Sequence, residues 1–447
     1  MFLLKPTIVS RLVWSGMVLA SILGALLMIK GTFARYNSNP SVISRETDFR
    51  SWNTPMPAST FCLMNQSDPE KVSSYIERHW GINSSNNKYN YYRNFVEDVA
   101  NFHMEDLSKF SKYSDDPSLL GVNMLLLALQ VIAHINATTT VFNPEYNSIK
   151  YHPIVSEVGI CYSFSSPLSE IFSVRKEHSN SNGKVPLCNF LNSHCFTRIE
   201  NLPQTSSIKF FVHSPLEVAT LESSANIVEP CEENDSTFKF FQIIASKELR
   251  ALRPDQRKCK FHDEPGPMSE LPSYSYNICR MECRKKLSLS LCGCAPFIYH
   301  SNSRKIRVCN AKGLACLAQY DTLIFKLQGR VGNNSHNCGC FLNCEDLNFK
   351  KDKSSITPWV RPLSCNTRMR WAVEKYNRVR LRRDVIYSYD DFLVSIGGTA
   401  ALFLGCSLLT FAEFLYFFTL RLFCFVRQHR LSESNLKTTK LIVPLNN

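Results

Sequence analysis

The sequence lacks the motifs that mark an enzyme or a nucleic-acid-binding protein. It contains no Gly-x-Ser-x-Gly elbow, no phosphate-binding P-loop and no His-Glu-x-x-His helix. Its lysines and arginines are scattered and form no basic block, so the net charge of +13 over 447 residues indicates a solvated surface. We therefore expect no enzymatic activity, no bound cofactor and no nucleic-acid partner.

Glycosylation sequons are absent from both ends of the chain, and cysteines are concentrated between them. Sixteen of the 18 cysteines lie between Cys62 and Cys365, and the other two are Cys406 and Cys424. This combination is typical of an oxidising compartment, so we predict that the middle of the chain is extracellular. The predicted glycosylation sites are Asn65, Asn83, Asn136, Asn234 and Asn333.

Two long apolar runs flank this interval. Residues 12–29 contain no charge, and residues 392–418 contain only Glu413. Either run is long enough to cross a hydrocarbon core of about 30 Å. A cleaved signal peptide is the alternative for the first run, but the run is long for one and no small-residue cleavage site follows. Two spans place both termini on the same side, which the sequons identify as the cytosol.

These runs divide the chain into five parts. We predict a cytosolic N-terminus (1–11), a first transmembrane helix (12–30), an extracellular cysteine-rich domain (31–391), a second transmembrane helix (392–420) and a cytosolic tail (421–447). A third apolar run, residues 119–135, is interrupted by polar residues and flanked by sequons. We predict that it is a buried or interface helix of the extracellular domain.

The extracellular domain mixes strand and helix patterns. "SIKFFVHSP" and "STFKFFQIIAS" are typical of strands, whereas "MLLLALQVIAHI" and "SYNICRMECRKKLSLS" favour helices. "NSSNNKYNYY" and "EHSNSNGK" have the polar composition of loops. We predict an α+β fold with an antiparallel sheet.

Cysteine spacing predicts a ladder of disulfides. Cys279 and Cys283 lie on one face of a predicted helix, and Cys338 and Cys340 on one face of a strand or extended loop. The alternative is a zinc site formed by Cys338, Cys340 and Cys344, but extracellular cysteines are more often oxidised than metallated. Spacing alone leaves the connectivity open.

The second apolar run carries small residues at helical spacing. Gly397, Ala401 and Gly405 recur every four residues, with Gly398 beside them, which favours close packing against copies of the same helix. The Gly405-Cys406-Ser407 triplet can interrupt the helix and turn carbonyl oxygens toward passing ions. Glu413 then lies at the inner mouth of a cation pore, or else extends to the inner membrane interface.

These motifs resemble one channel family. "IGGTAALFLGCSLLTFAEFLYFF" resembles the second span of degenerin and epithelial sodium channels, with a Gly-x-Ser filter and an acid six residues after the Ser. The likeness extends to the insect pickpocket branch. Further matching segments are "PMPASTFC" (55–62), "GICYSF" (159–164), "FFVHSP" (210–215), "LRPDQRKCKF" (252–261), "YSYNICRMECRKKLSLSLCGCAPF" (274–297), "VCNAKGLACL" (308–317) and "CGCFLNC" (338–344).

The resemblance implies a trimer of two-span subunits whose extracellular domain has palm, thumb, finger and β-ball parts. It also implies the disulfides Cys62–Cys161, Cys259–Cys344, Cys279–Cys340, Cys283–Cys338, Cys292–Cys316 and Cys294–Cys309. The pairing of the remaining Cys188, Cys195, Cys231 and Cys365 stays open, with a Cys188–Cys195 bridge and the other two joined as one arrangement.

The resemblance further implies sodium selectivity at Gly405, Cys406 and Ser407 and amiloride block at the outer pore. Tyr36, Tyr387 and Tyr389 become candidates for contacts at the wrist, between the spans and the extracellular domain.

Two features bear on gating. Val394 occupies the position where bulky residues hold relatives open, which allows a constitutive leak. The family's His-Gly pair before the first span is absent from this sequence. That absence predicts a trimmed N-terminus, an incomplete gene reading or a subunit that gates poorly alone.

The sequence thus predicts a subunit of a voltage-independent, amiloride-sensitive sodium channel in the plasma membrane. It would assemble in lipid as a homotrimer or with related subunits, conduct Na⁺ and respond to an unidentified extracellular chemical, mechanical or osmotic stimulus. The alternatives are a non-conducting receptor or adhesion protein, a modulatory subunit that needs partners, and an ATP-gated trimeric channel. A receptor would not explain the triplet and the small-residue stripe.

Overall fold

The structure, a computed structural model, describes residues 8–427 except 39, 136, 144–150, 174–184, 192–194, 267, 268, 270, 300–305, 328, 329, 332, 333, 336, 337, 360–364 and 406. The chain divides into two compact units. The first comprises the two ends, up to residue 42 and from residue 384, together with residues 247–257. The second comprises residues 43–246 and 258–383.

The α-helices of the described residues are α1 (Ile8–Ser38), α2 (Pro69–Trp80), α3 (Tyr89–Ala100), α4 (Pro117–Leu120), α5 (Met124–Val131), α6 (Ser169–Phe172), α7 (Pro254–Arg257), α8 (Tyr276–Cys292), α9 (Ala311–Ala318), α10 (Asp321–Lys326), α11 (Tyr389–Leu404) and α12 (Leu408–Tyr416). Short 3₁₀ helices cover Met104–Tyr113, Lys247–Ala251 and Phe297–Tyr299, and a π-helical turn covers Phe417–Arg421.

The strands are β1 (Ser41–Glu46), β2 (Asn53–Pro55), β3 (Ala58–Leu63), β4 (Thr138–Val141), β5 (His152–Ser156), β6 (Gly159–Phe164), β7 (Leu187–Asn189), β8 (Cys195–Leu202), β9 (Ile208–His213), β10 (Asn226–Val228), β11 (Glu232–Ala245), β12 (Cys259–Lys260), β13 (Arg330–Val331), β14 (Asn334–Ser335), β15 (Leu342–Asn343), β16 (Asp346–Pro358), β17 (Thr367–Val373) and β18 (Arg380–Val385).

The first unit contains the apolar helices. Two segments, Val9–Ser38 and Leu409–Arg427, are long and apolar enough to cross a membrane, with mean hydropathies of 2.2 and 1.7. The predicted first span, residues 12–30, lies inside α1. The predicted second span, residues 392–420, is divided between α11 and α12. α1 packs along α11 through a face that includes Gly24, and the rest of its apolar surface is exposed in the single chain.

The second unit is built on a seven-stranded sheet in the order β1-β18-β11-β17-β8-β4, with β16 also paired to β11. β11 runs antiparallel to β16 but parallel to β17 and β18. The prediction of an antiparallel sheet is therefore wrong for this sheet, which is mixed. The reason is that β17 and β18 reach β11 through long connections, which permit parallel pairing, rather than through hairpins.

A second sheet, β10-β9-β3-β6-β5, is antiparallel throughout. Its inner face shares one apolar core with the seven-stranded sheet: Phe164 of β6 meets Trp371 of β17 edge-on, with ring centroids 5.9 Å apart. The two strands predicted from "SIKFFVHSP" and "STFKFFQIIAS" are β9 and β11, which confirms both predictions.

Helices of the second unit pack around a separate apolar core, to which α2, α3, α5, α8 and α9 contribute buried side chains. The apolar run 119–135 contains the buried helix α5, as predicted: Met124, Leu127 and Val131 are buried, and Asn123 caps its first turn through Leu126 N. Ser275 caps the start of α8 by accepting from Ile278 N, and Gly293, with φ 68°, caps its end.

A charged network crosses this helical core. Arg284 of α8 and Glu157 of the β5–β6 turn are both fully buried, and Arg284 Nη1 lies 2.9 Å from Glu157 Oε2. Tyr299 Oη donates to Glu157 Oε1 over 2.7 Å, and Arg284 also pairs with Glu222. Burial beside Glu157 raises the pKa of Tyr299 well above its ordinary value, so its hydroxyl remains a donor.

Eight disulfides staple the second unit. All six pairs implied by the resemblance are present, together with Cys188–Cys195 and Cys231–Cys365. The three sulfurs of the zinc alternative are all disulfide-bonded, so that alternative is wrong. The described residues contain no group of three or more His, Cys, Asp or Glu side chains that could hold a metal ion.

One local prediction needs correction. The last four residues of "NSSNNKYNYY" form the first turn of α3, because their tyrosines pack into the helical core. Of the two alternatives for Cys338 and Cys340, a strand or an extended loop, the structure has the loop, and Gly339 between them has φ 61°. The loop predicted at "EHSNSNGK", residues 177–184, lies outside the described residues.

Glycosylation at Asn234 is also contradicted. The side chain is 1% exposed on the central strand β11, and its Oδ1 accepts a hydrogen bond from Ser236 Oγ. A glycan there would require the sheet to open. Asn65 and Asn83 are exposed, whereas Asn136 and Asn333 lie outside the described residues.

Candidate functional site

The second apolar segment breaks at the predicted triplet. α11 ends at Gly405, whose backbone is left-handed at φ 61° and ψ 20° and whose N–H donates to Ala401 O over 3.0 Å. Glycine adopts this conformation without the steric cost that a Cβ imposes. Cys406 lies outside the described residues. A helix that ends inside an apolar segment presents carbonyl groups that no further turn of the same helix can satisfy.

Ser407 restarts the helix. Its Oγ accepts from Thr410 N over 3.1 Å, and Thr410 Oγ1 accepts in return from Ser407 N, which completes a capping box for α12. The break is therefore specified by the sequence on both sides, by a C-terminal glycine and an N-terminal serine. Glu413 lies on α12, six residues after Ser407, and is exposed in the single chain.

The stripe of small residues lies on the face of α11 that points away from α1. Phe392, Ile396 and Phe403 are partly shielded, and Phe403 reaches Gly24 of α1. Their spacing of four and then seven residues places them on one helical face.

The opposite face of α11 carries Val394, Gly397, Gly398 and Ala401, which are exposed. A Cβ added to Gly397 or to Gly398 would meet no atom within 4 Å. No side chain of the same chain therefore covers the backbone at these two glycines. Val394 lies beside them with 74% of its surface exposed. Such a face is suited to close approach by another helix.

Aromatic rings connect the C-terminal end of α1 with the N-terminal end of α11. Tyr36 lies edge-on to Tyr387, with centroids 6.4 Å apart, and stacks on Phe392 at 5.0 Å. Tyr389 and Phe33 also contact Phe392, at 6.4 and 6.1 Å. The three tyrosines singled out in the sequence are therefore brought together, around a phenylalanine that sequence reasoning missed.

Other residues that hold this segment were also missed. Ser388 and Asp391 form a capping box at the start of α11, and the Ser-x-x-Asp spacing ahead of an apolar run is the signal that predicts it. Phe403 and Gly24 are partners across two helices, and no local pattern relates positions so far apart in sequence.

Comparison with known proteins agrees with this arrangement. The profile described as "Amiloride-sensitive sodium channel" matches residues 2–417. The Sodium channel protein Nach of Drosophila ananassae is 22% identical over 91% of this chain and 81% of its own length. Pickpocket protein 28 of Drosophila melanogaster is 21% identical over 91% and 73%. The human Bile acid-sensitive ion channel is 22% identical over 92% and 81%.

The family match covers most of the chain, including α1, α11, α12 and the disulfide-rich unit. Members of this family are ion channels of the plasma membrane and not enzymes, which agrees with the absence of catalytic motifs. The chain belongs to the amiloride-sensitive sodium channel family, the degenerin and epithelial sodium channels, and is similar to its insect pickpocket members.

Proposed function

We propose that this chain is a subunit of a voltage-independent, amiloride-sensitive, sodium-selective channel. In this proposal three subunits surround a pore, both termini are cytosolic, and the second unit is the extracellular domain that receives the stimulus. The observation that carries the proposal is the helix break between Gly405 and Ser407 within an apolar segment.

The break supports a filter because irregular backbone at membrane depth is tolerated only where protein or water surrounds it. Three copies of residues 405–407 around an axis would present a ring of carbonyl oxygens, which can replace part of the hydration shell of Na⁺. Glu413, beyond Ser407 on α12, would add carboxylates on the cytosolic side of this ring.

The unoccupied face of α11 supports assembly. Gly397, Gly398 and Ala401 leave room for a neighbouring helix, while α1 covers the other side of α11. Val394 lies on the same open face, where its bulk would meet the neighbouring subunit and so influence the closed state. Exposure of Asn65 and Asn83 in the second unit supports an extracellular position for that unit.

The experiment is an oocyte current measurement with a thiol test. The chain is expressed alone and with related subunits, in a Cys424→Ala background that removes the exposed free cysteine. We expect an amiloride-blocked sodium current that a small methanethiosulfonate reagent reduces through Cys406. The matched control, Cys406→Ala in the same background, should conduct but ignore the reagent.

A modulatory subunit would give current only in combination with relatives. A chain that reaches the surface yet neither conducts nor alters the current of any related subunit would contradict the channel proposal and favour a receptor.

A further inference from the structure

A cavity of 480 Å³ lies within the second unit. Its walls come from the end of β9 and the following loop, the first turn of α8, β15, the start of β16, and the neighbouring strands β11 and β18. Its size falls within the range of small-molecule sites, about 300–1,000 Å³. It is far larger than a monatomic ion needs, and the described residues hold no metal-binding cluster.

The most buried ionisable group in its wall is Glu217, at 7% exposure. Its carboxylate receives hydrogen bonds from Ser275 Oγ at 2.8 Å and from Asn343 Nδ2 at 3.1 Å, and Asn277 is a third neutral partner. The described part of the chain offers it no ion pair. The two oxygens of a carboxylate accept about four hydrogen bonds, so acceptor capacity remains.

The other charged groups around the cavity are already matched. Glu222 pairs with Arg280 and Arg284. Asp346 shares the amide of Asn343 with Glu217, at 3.5 Å, and interacts electrostatically with Arg383. Desolvation lowers the pKa of His213 to about 4, so the ring is neutral at neutral pH. Glu217 therefore has no ion-pair partner among the described residues, whereas Arg383, the cation of the wall, interacts with Asp346.

The rest of the wall is apolar enough to hold an organic body. Val218, Ile243, Leu347 and Phe349 line the cavity beside the polar groups. Glu217 is fixed by Ser275, which also caps α8, and by Asn343, whose Oδ1 accepts from Tyr276 N over 2.9 Å. The carboxylate is thus held in place before any ligand arrives, which reduces the cost of ordering it on binding.

We propose that this cavity binds a small organic cation with an apolar body and one primary ammonium or guanidinium group, which pairs with Glu217. A protonated nitrogen would supply the positive charge that pairs with Glu217 and would donate the further hydrogen bonds that the carboxylate can accept. The apolar portion would lie against Phe349 and its neighbours. Burial raises the pKa of Glu217 to about 7, so the anion that such a ligand needs is available above that pH.

The test is calorimetric binding to the purified full chain near pH 8, which does not require the chain to conduct. The probes are phenethylamine and butylguanidinium, with 2-phenylethanol and butylurea as neutral counterparts. We expect saturable binding of the cations with a Kd below about 1 mM and none of the neutral compounds. Glu217→Gln should weaken binding at least about tenfold.

Glu229→Gln is the matched control, because Glu229 is an exposed carboxylate of the same unit that lies outside the cavity and accepts from Ser207 Oγ. It should leave affinity unchanged. Ser224→Trp, at an exposed position of the cavity wall, should block binding by filling space even if Glu217→Gln does not fold. Absence of cation binding to the unmodified chain, or unaltered binding by Ser224→Trp, would overturn the proposal.

Discussion

The ring of Phe403 on α11 occupies the space beside Gly24 on α1: a Cβ placed on Gly24 would lie 2.7 Å from Cε1 of Phe403. Side-chain carbons do not approach so closely, so only glycine lets the ring reach the backbone of α1. Ala25, the next residue, is 3% exposed. The two helices therefore meet where one large ring lies on small residues, a mode of packing common in membranes.

Gly24→Leu should separate these helices. Overpacking of this kind costs about 1–3 kcal/mol, so we expect faster thermal inactivation of the detergent-solubilised chain. Adding Phe403→Ala should restore part of the loss by vacating the space. Gly16→Leu is the control, because a Cβ there meets nothing within 4 Å. Equal losses from the two leucine substitutions would contradict this account.

Gly405→Ala should shift the helix break. An L-residue in the left-handed conformation costs about 1–2 kcal/mol, so the backbone of α11 is expected to rearrange around residue 405. We expect a lower sodium-over-potassium permeability ratio with an unchanged amount of protein at the cell surface. Gly31→Ala, within α1 and free of close neighbours, should retain the ratio. An unaltered permeability ratio for Gly405→Ala would show that this glycine does not determine ion selectivity.

Arg284→Met should destabilise the second unit strongly. It leaves Glu157 buried without its cation, a change that costs about 3–5 kcal/mol. The double variant Arg284→Met with Glu157→Gln should be milder, because no buried charge remains unpaired. Thermal unfolding of the purified chain measures both. Arg93→Met, which removes the exposed pair with Glu97, should cost under about 1 kcal/mol.

Glu217 should make stability depend on pH. Burial raises its pKa from 4.5 to about 7, so the folded protein holds a proton that the unfolded chain releases. This favourable contribution is complete below about pH 4.5 and is lost as the pH rises through about 7. It amounts to at most about 3.4 kcal/mol, since one pKa unit corresponds to about 1.36 kcal/mol.

The measurement for this prediction is melting temperature against pH for the unmodified chain and for Glu217→Gln. The difference between them should change between about pH 4.5 and pH 7.5 and remain flat outside that window. Parallel curves throughout would show that Glu217 does not titrate in this range.

Glycan occupancy should follow exposure rather than sequons. Asn65→Gln and Asn83→Gln should each increase electrophoretic mobility, because both side chains are accessible. Asn234→Gln should not, and should lower the melting temperature through its hydrogen bond with Ser236. Glycosidase treatment before electrophoresis removes the differences at Asn65 and Asn83. A mobility increase for Asn234→Gln would show that this strand is accessible before folding is complete.

Local signals predicted the parts of this fold that depend on neighbouring residues. The apolar runs predicted the membrane segments, and the period of "MLLLALQVIAHI" predicted α5. The Gly-x-Ser pattern predicted the helix break, because a left-handed glycine and a capping serine act within a few residues. Spacing predicted a ladder of disulfides, and the family resemblance supplied six of its pairs.

Features that depend on distant residues were not predictable in this way. The parallel pairing of β11 with β17 and β18 joins segments more than 130 positions apart, and no local pattern indicates strand direction. The sequon at Asn234 does not reveal that β16 and β17 flank its strand on both sides. The contact of Gly24 with Phe403 likewise depends on how two helices approach.

The disulfides at the two ends of α8 have a mechanical consequence. Cys279 and Cys283 join its first turns to the loop before β15, and Cys292 joins its last turn to α9. Both ends of the helix are therefore tied to neighbouring segments, so its first turns move with the loop before β15 and its last turn moves with α9. Mild reduction should release the helix from both neighbours.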